Sequence, residues 1–411
     1  MLKNYIKIAV KVLLRQKFFT VVSLFGISVT LTIIFVVVAM LDTIVTPGGR
    51  GSKLSRALFV EQIALEGEDM SIQSPPSYTL LDQHLRPLTT PEMVSIHSEP
   101  RSATVYVGGS KVDLDLKYTD AEFWDIIEMD FLEGGPYRRP QVDDADAVAV
   151  ISQRTRNEVF DAGPVVGRFL ETTLGTFRVV GVVPSGQMPG HTAYADLWVP
   201  ITQSAAITAR SEVWGSALGI VLPRKDGDSD AIKSEFEKHL NQVRAELSDK
   251  YHKVECPLAS QLEMFAQENL GGGEGSGTLV IAAFIGLTIL FMLLPAMNLV
   301  NMTISRIYER SSEIGVRKAF GAPASALVWQ FVIENVVLTL VGGFLAVIMS
   351  LITLNILNAS GVMPFAHFSL NLYVLFYSLL ICLFFGVFSG VLPAYRMSRL
   401  HPVQALRGVT A

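Results

Sequence analysis

Residues 18–41 read FFTVVSLFGISVTLTIIFVVVAML, a run with no charge and almost no polarity. About 20 helical residues, rising about 1.5 Å each, cross the hydrocarbon core of a bilayer. This stretch is long enough to be a span. Residues 278–302 and 373–393 form two further runs of the same kind, and 324–357 forms a fourth that carries Glu334, so only part of it is expected in lipid. Half of the 411 residues are apolar and 17% are charged, outside the range of soluble globular chains. The expected fold class is a membrane protein with four transmembrane α-helices (1 + 3). A mixed α/β extracytoplasmic domain, residues 42–277, is inserted between the first and second.

Lys3, Lys7, Lys11, Arg15 and Lys17 precede the first run as in a secretory leader. The apolar stretch exceeds the usual 7–15 residues of such leaders and continues to Met40 without a small-residue cleavage pattern, which is the reading of a signal anchor. Lys and Arg collect on the inner side of short loops. Segment 1–17 has five basic residues and no acidic one, 303–323 holds Arg306, Arg310, Arg317 and Lys318, and the tail 394–411 holds Arg396, Arg399 and Arg407. All three are expected to be cytoplasmic. Loop 358–372 has no Lys or Arg and is expected outside, along with the large block. The net charge of −5 hides this asymmetry, since most carboxylates lie in the block. A nucleic-acid partner is not expected. Two cysteines, Cys256 and Cys382, fall in different compartments and make no disulfide framework.

Strand-like alternation in the outer block marks Arg56–Val60, Ala103–Val107, Val112–Leu116 and Phe177–Val183. Helical patterning marks Thr90–His97, Asp120–Ile127, Gln153–Phe160 and Asp228–Asp249. In the last of these Ile232, Phe236, Leu240, Val243 and Leu247 fall on one face suited to packing on a sheet. Gly271–Gly277 is by composition either a hinge or a membrane-proximal linker.

Between the second and third runs a helix over 304–319 would place Ile304, Ile307, Tyr308, Ile314 and Ala319 on one face. Arg306, Glu309, Arg310, Glu313 and Arg317 would occupy the other. A face carrying both signs suits docking to a protein better than to a bare anionic lipid surface, although a loop that only fixes orientation has the same charge balance. Gly321 suits the helix end and Pro323 the next helix start. In the third run Glu334 sits near the inner boundary with Gln330 and Asn335, where a hydrogen-bonding role is favoured over proton relay. Gly342, Ala346 and Ser350, and the pair Gly386 and Gly390, have the four-residue spacing that lets helices approach closely in lipid.

The segment Arg310-Ser-Ser-Glu313-Ile314-Gly315-Val-Arg317-Lys318-Ala319-Phe-Gly321-Ala322, followed by Gln330–Glu334 and Gly342-Gly343, resembles the FtsX/MacB/LolC-type permeases of ABC systems. The tail from Leu392 to Arg407 is similar to that family's closing signature, and Val148–Ser152 and Phe177–Val183 resemble its MacB-type periplasmic core. The resemblance implies a non-catalytic, mechanotransmission permease of the inner membrane, working as a homodimer or with a paralogous permease. Two copies of a cytoplasmic ABC ATPase would bind the ATP and Mg, so no cofactor is expected in this chain. Glu309, Arg310, Glu313, Ile314, Gly315, Arg317, Lys318 and Gly321 would form the helix that couples to that ATPase. Glu334, Gly342, Gly343, Gly386 and Gly390 would serve helix packing. The ectodomain would combine a base made from both ends of the block with a lobe inserted near 112–204. A periplasmic adaptor and outer-membrane channel are possible further partners, besides membrane lipids.

These 411 residues contain no GxxxxGK[ST] phosphate loop, so the motor is expected on another chain or domain. Asp143–Asp146 lacks the spacing of a calcium loop, the seven histidines lack zinc-site spacing, and Ser185 is not in a nucleophile elbow. Two functions fit such a chain: export of a substrate driven from the cytoplasm, or transmembrane control of an envelope hydrolase or other partner without cargo.

Overall fold

The computed structural model describes residues 2–15, 17–46, 52–68, 70–160, 163–185, 190–209, 212–225, 227–270, 277–309 and 324–360, with isolated positions between 316 and 391. The chain begins with helices α1 (Leu2–Arg15) and α2 (Lys17–Val45), then strands β1 (Leu58–Val60), β2 (Ile63–Glu66) and β3 (Ser71–Ser74). Helix α3 (Tyr78–His84) leads to β4 (Met93–Ser98), β5 (Arg101–Val107) and β6 (Ser110–Thr119), then α4 (Glu122–Ile127), β7 (Glu133–Gly134) and α5 (Arg139–Asp143). Next come β8 (Val148–Ser152), α6 (Gln153–Val159), β9 (Phe169–Thr172), β10 (Gly175–Val183), α7 (Gly190–Ala193), β11 (Leu197–Pro200) and α8 (Ala205–Thr208). The last elements are β12 (Ala217–Leu222), α9 (Ser229–Leu247), β13 (Lys253–Glu255), β14 (Ala259–Ser260), α10 (Gln261–Leu270), α11 (Gly277–Glu309) and α12 (Ala324–Ser360).

Two compact units arise from this order. One comprises the described residues within 1–41, 281–362 and 368–411; the other comprises 42–280 with 363–367. In the first, Lys17–Thr43 and Trp329–Ser360 are helices long and apolar enough to cross a bilayer. Helix α11 is continuous over 33 residues, of which Gly277–Phe291 is an apolar stretch of described residues. Of the fourth expected span, 373–393, the described positions, Tyr373 to Val391 with gaps, are all helical. Segment 1–17, expected only as a basic leader to the first span, folds as a helix of its own over Leu2–Arg15. Asn358 at the end of α12 brackets Phe368, donating Nδ2–H to its carbonyl and accepting its N–H, both at 2.9 Å.

The second unit is built on a mixed sheet ordered β14-β1-β12-β4-β6-β11-β8-β10-β7, with β5 added to β6 and β9 to β10. A smaller sheet has the order β13-β2-β3. Strands from the two ends of the block pair directly, β1 with β12 and with β14, and β12 with β4. Strands from the middle of the block form the rest of the large sheet, joined to β4 through the register pair His97↔Thr119. β8, β11 and β12 are buried at every position, as continuous apolar strands covered on both faces should be. Ile232, Phe236, Leu240 and Val243 of α9 bury in the same core. Ser77 and Ser152 cap α3 and α6 by accepting the N–H of Leu80 and Thr155 at 3.1 Å.

Thr90–His97, expected as helical, is instead the strand β4 with its approach. Val94 and Ile96 alternate with Ser95 and His97 at period two, and six register pairs with β12 outweigh a weak helical pattern. Gly134 (φ 63°) faces Gly181 where β7 meets β10, and a Cβ on Gly134 would lie 2.0 Å from the Val180 carbonyl oxygen. Only glycine fits there.

Lys117 on β6 is 1% exposed and donates from Nζ to the Thr192 carbonyl at 2.5 Å. Burial pulls its ammonium down to about 7, opposed in part by Glu61, Asp115 and Glu99. Between that value and the lysine value of 10.5 the unfolded chain carries the extra proton, so this group makes folding more favourable as pH rises across the window. Lys117→Met is expected to remove a slope of about 1.4 kcal/mol per pH unit. Urea unfolding from pH 7 to 10, followed through the buried indoles of Trp124 and Trp198, checks this, and an unaltered slope contradicts it.

Candidate coupling and transmission site

Helix α11 passes residue 302 without interruption, so Ile304–Glu309, expected to begin a separate charged helix, extends the second apolar run instead. The six added residues keep the helical hydrogen-bond ladder going into the polar segment. Beyond them Phe320 donates its N–H to the Val316 carbonyl at 3.1 Å, the i to i−4 bond of one helical turn. Both side chains are exposed, Phe320 to 89%. A phenyl ring this open is a large apolar surface left to the surroundings. Arg310, Glu313, Ile314, Gly315, Arg317, Lys318 and Gly321 lie outside the described residues, and so does the side chain of Glu309. Val316 and Phe320, two apolar residues four apart in this charged stretch, are not among the expected coupling residues.

In the membrane unit α2 and α12 pack through small residues. A Cβ on Gly342 would lie 2.7 Å from Ile27 Cγ2, and one on Gly343 would lie 3.1 Å from Leu379 Cδ1. Around them Ile27, Leu31, Ile34 and Phe35 of α2 bury with Leu338 and Ala346 of α12. Thr32 Oγ1 donates to the Ser28 carbonyl at 2.7 Å and approaches the Ala346 carbonyl at 3.4 Å. Backbones come this close only where side chains are small. Gly386 and Gly390 lie outside the described residues. Glu334 is 2% exposed and accepts a hydrogen bond from Gln330 Nε2 at 3.0 Å, one turn earlier on the same helix, with Asn335 and Thr339 also buried.

In the ectodomain the junction between β4 and β6 is held by Asp120, which the sequence reading used only as a helix start. Its carboxylate accepts from Ser95 Oγ and the Ile96 N–H of β4, both at 2.7 Å, from the Phe123 N–H at 3.1 Å and from Arg86 at 3.4 Å. Burial raises this carboxyl to about 6 despite those donors. Beneath it Trp124 meets Phe123, Phe131, Tyr137 and Trp198 with ring centroids 5.5–5.9 Å apart. Cys256 is buried and its thiol pushed up to about 12, which makes it inert. Among the described residues no three His, Cys, Asp or Glu side chains converge on a metal position.

Residues 20–239 match the family model of the MacB-like periplasmic core domain, and residues 285–402 that of the FtsX-like permease C-terminal region. The macrolide export ATP-binding/permease protein MacB of Mannheimia succiniciproducens is 25% identical over 320 residues, covering 76% of this chain and 46% of that protein. MacB of Escherichia coli K12 is 26% identical over 345 residues, covering 79% and 49%. The chain thus spans about half the length of these curated relatives. An uncharacterized ABC transporter permease of Bacillus subtilis, YvrN, is 24% identical over 297 residues, covering 70% of this chain and 68% of that one. Among solved structures, the periplasmic region of MacB from Actinobacillus actinomycetemcomitans aligns with 53% of this chain and 94% of its own, at 16% identity and a TM-score of 0.38.

The α2–α12 contact makes a direct prediction. Ile27 is β-branched and stiff in a helix, so a methyl at position 342 cannot be absorbed by rotating it. Gly342→Ala is expected to cost about 1–3 kcal/mol in thermal unfolding of the detergent-solubilised protein. Adding Ile27→Ala should recover most of that loss; simple addition of the two losses argues against the contact.

Proposed function

The chain belongs to the MacB-type family of FtsX-like ABC transporter permeases, and on that premise we propose that it converts ATP turnover by a partner ATPase into movement of its ectodomain, extruding a substrate from the outer compartment. It sits in the inner membrane with four spans and both termini cytoplasmic, and works as a dimer with two ATPase copies. The substrate is released by mechanical change in the ectodomain and need not pass through the helix bundle. The single observation that supports this reading is the pair of exposed apolar side chains Val316 and Phe320, joined by a Phe320 N–H to Val316 carbonyl bond, in the segment between α11 and α12. An apolar knob flanked by Glu313, Arg317 and Lys318 suits a groove on a soluble protein: the ring supplies affinity and the charges supply register.

Movement taken up there reaches the ectodomain along α11, which is helical over its whole length up to Glu309. Within the ectodomain the β1–β12–β4 ladder carries displacement to the Asp120 node, where the middle strands begin. The coupled enzyme activity belongs to the ATPase, and this chain supplies no reacting group.

Phe320→Asp, and separately Glu313→Ala with Arg317→Ala, are expected to lower ATPase co-purification or coupled hydrolysis at least about 10-fold, the loss of roughly one interface anchor. Membrane insertion and ectodomain folding should stay as in the wild type. Wild-type association and turnover in both variants would remove the docking role from this segment.

A further inference from the structure

The amino-terminal helix has no part in the function proposed above. Thr20 Oγ1 of α2 donates to the Leu13 carbonyl of α1 at 2.8 Å. In one continuous helix residues seven apart are separated by about 10 Å along the axis, so α1 and α2 are not one straight helix, and α1 leaves the line of the span. Helix α2 alone offers 27 residues, Lys17–Thr43, to the hydrocarbon core, more than that core needs. A helix covalently joined to its end, out of line with it and carrying four basic residues is suited to the interfacial layer.

Its surface is divided. Ala9 and Leu13 are buried, Leu13 in the α2–α12 cluster, while Ile8 and Leu14 are exposed. Lys7, Lys11 and Arg15 are exposed at four-residue intervals, within about 80° of one another around the helix, and Lys3 continues the interval in sequence. No acidic residue occurs before Asp42, and among the described residues no carboxylate pairs with these three cations. Three charges without a described carboxylate partner, next to a helix apolar enough to span a bilayer, suit an anionic membrane surface.

We propose that α1 is an in-plane binding surface for the phosphate headgroups of anionic phospholipids, with Lys7, Lys11 and Arg15 as the contacts and Ile8 and Leu14 entering the acyl boundary. Each such cation contributes on the order of 1 kcal/mol of attraction to an anionic membrane, so the stripe sets lipid preference. Through Leu13 the bound lipid steadies the α2–α12 contact.

The test uses the full chain in an uncharged detergent, titrated with phosphatidylglycerol or phosphatidylcholine in mixed micelles while thermal unfolding is followed. Phosphatidylglycerol is expected to raise the midpoint and phosphatidylcholine not to; 0.5 M salt should weaken the effect, and inorganic phosphate should not reproduce it. The variant K7Q/K11Q/R15Q should need on the order of 100-fold more phosphatidylglycerol for the same shift at low salt, with an unchanged midpoint in phosphatidylcholine. Should that variant fold poorly, K11Q alone against K11R supplies the comparison, the arginine retaining the shift and the glutamine losing part of it. An equal response to both lipids, a response to phosphate alone, or an undiminished phosphatidylglycerol shift in the glutamine variants overturns the proposal. A triple variant that loses ATPase affinity while keeping the lipid shift assigns the stripe to a protein instead and overturns it equally.

Discussion

The ectodomain depends on the pairing of β1 with β12 and β14. The register Leu58↔Val221, Phe59↔Ile220 and Leu58↔Ser260 places the chain that has just left the first span beside the chain about to enter the second. Every residue of β1 and β12 is buried, so these hydrogen bonds are shielded from water and cannot be exchanged for solvent without opening the core. Closing so long a loop costs little more entropy than closing a much shorter one, because the cost grows only logarithmically with length. The result is a base whose two ends are one mechanical body.

The middle strands join that base at a narrow place. β4 meets β6 through the His97↔Thr119 pair, and Asp120 concentrates there the hydrogen bonds of a strand, a helix start and an arginine. A buried carboxylate is tolerated only when its oxygens are satisfied, and here four donors satisfy them at one residue. Lys117, three residues earlier on β6, is buried with the Thr192 carbonyl as its described partner, and burial pulls its ammonium down to about 7. The junction is therefore polar and demanding, while the sheet on either side of it is apolar and continuous. A sheet that moves as two parts bends most readily where few ladder bonds cross.

Much of this was legible in the amino-acid order. The uncharged run over 18–41 and the periodic apolar face from Ile232 to Val243 each appear in the structure as helices, because length and period are strong signals in both. Strands β5, β6 and β10 were visible through alternation at the solvent-facing parts of the sheet. β11 and β12 were not, since strands buried on both faces lose the alternation that identifies them. The reading of Thr90–His97 as a helix failed for a related reason: its identity is set by partners more than a hundred residues away. Of the segment between α11 and α12, composition exposes the charges but not that Val316 and Phe320 face outward. The departure of α1 from the line of α2 shows in one threonine hydroxyl's bond to Leu13 and has no signature in composition.

The central claim is that work done on the cytoplasmic segment changes the internal geometry of the ectodomain. Spin labels on Tyr106→Cys of β5 and Lys238→Cys of α9, both exposed positions, report on the middle strands and the base within one ectodomain, and the buried Cys256 stays unlabelled. Pulsed electron-spin distance measurement in nanodiscs, with the ATPase partner present and ATP or vanadate-trapped nucleotide added, is predicted to give a distance distribution that differs from the nucleotide-free one. Identical distributions in all nucleotide states, while the assembled complex hydrolyses ATP, would contradict the account.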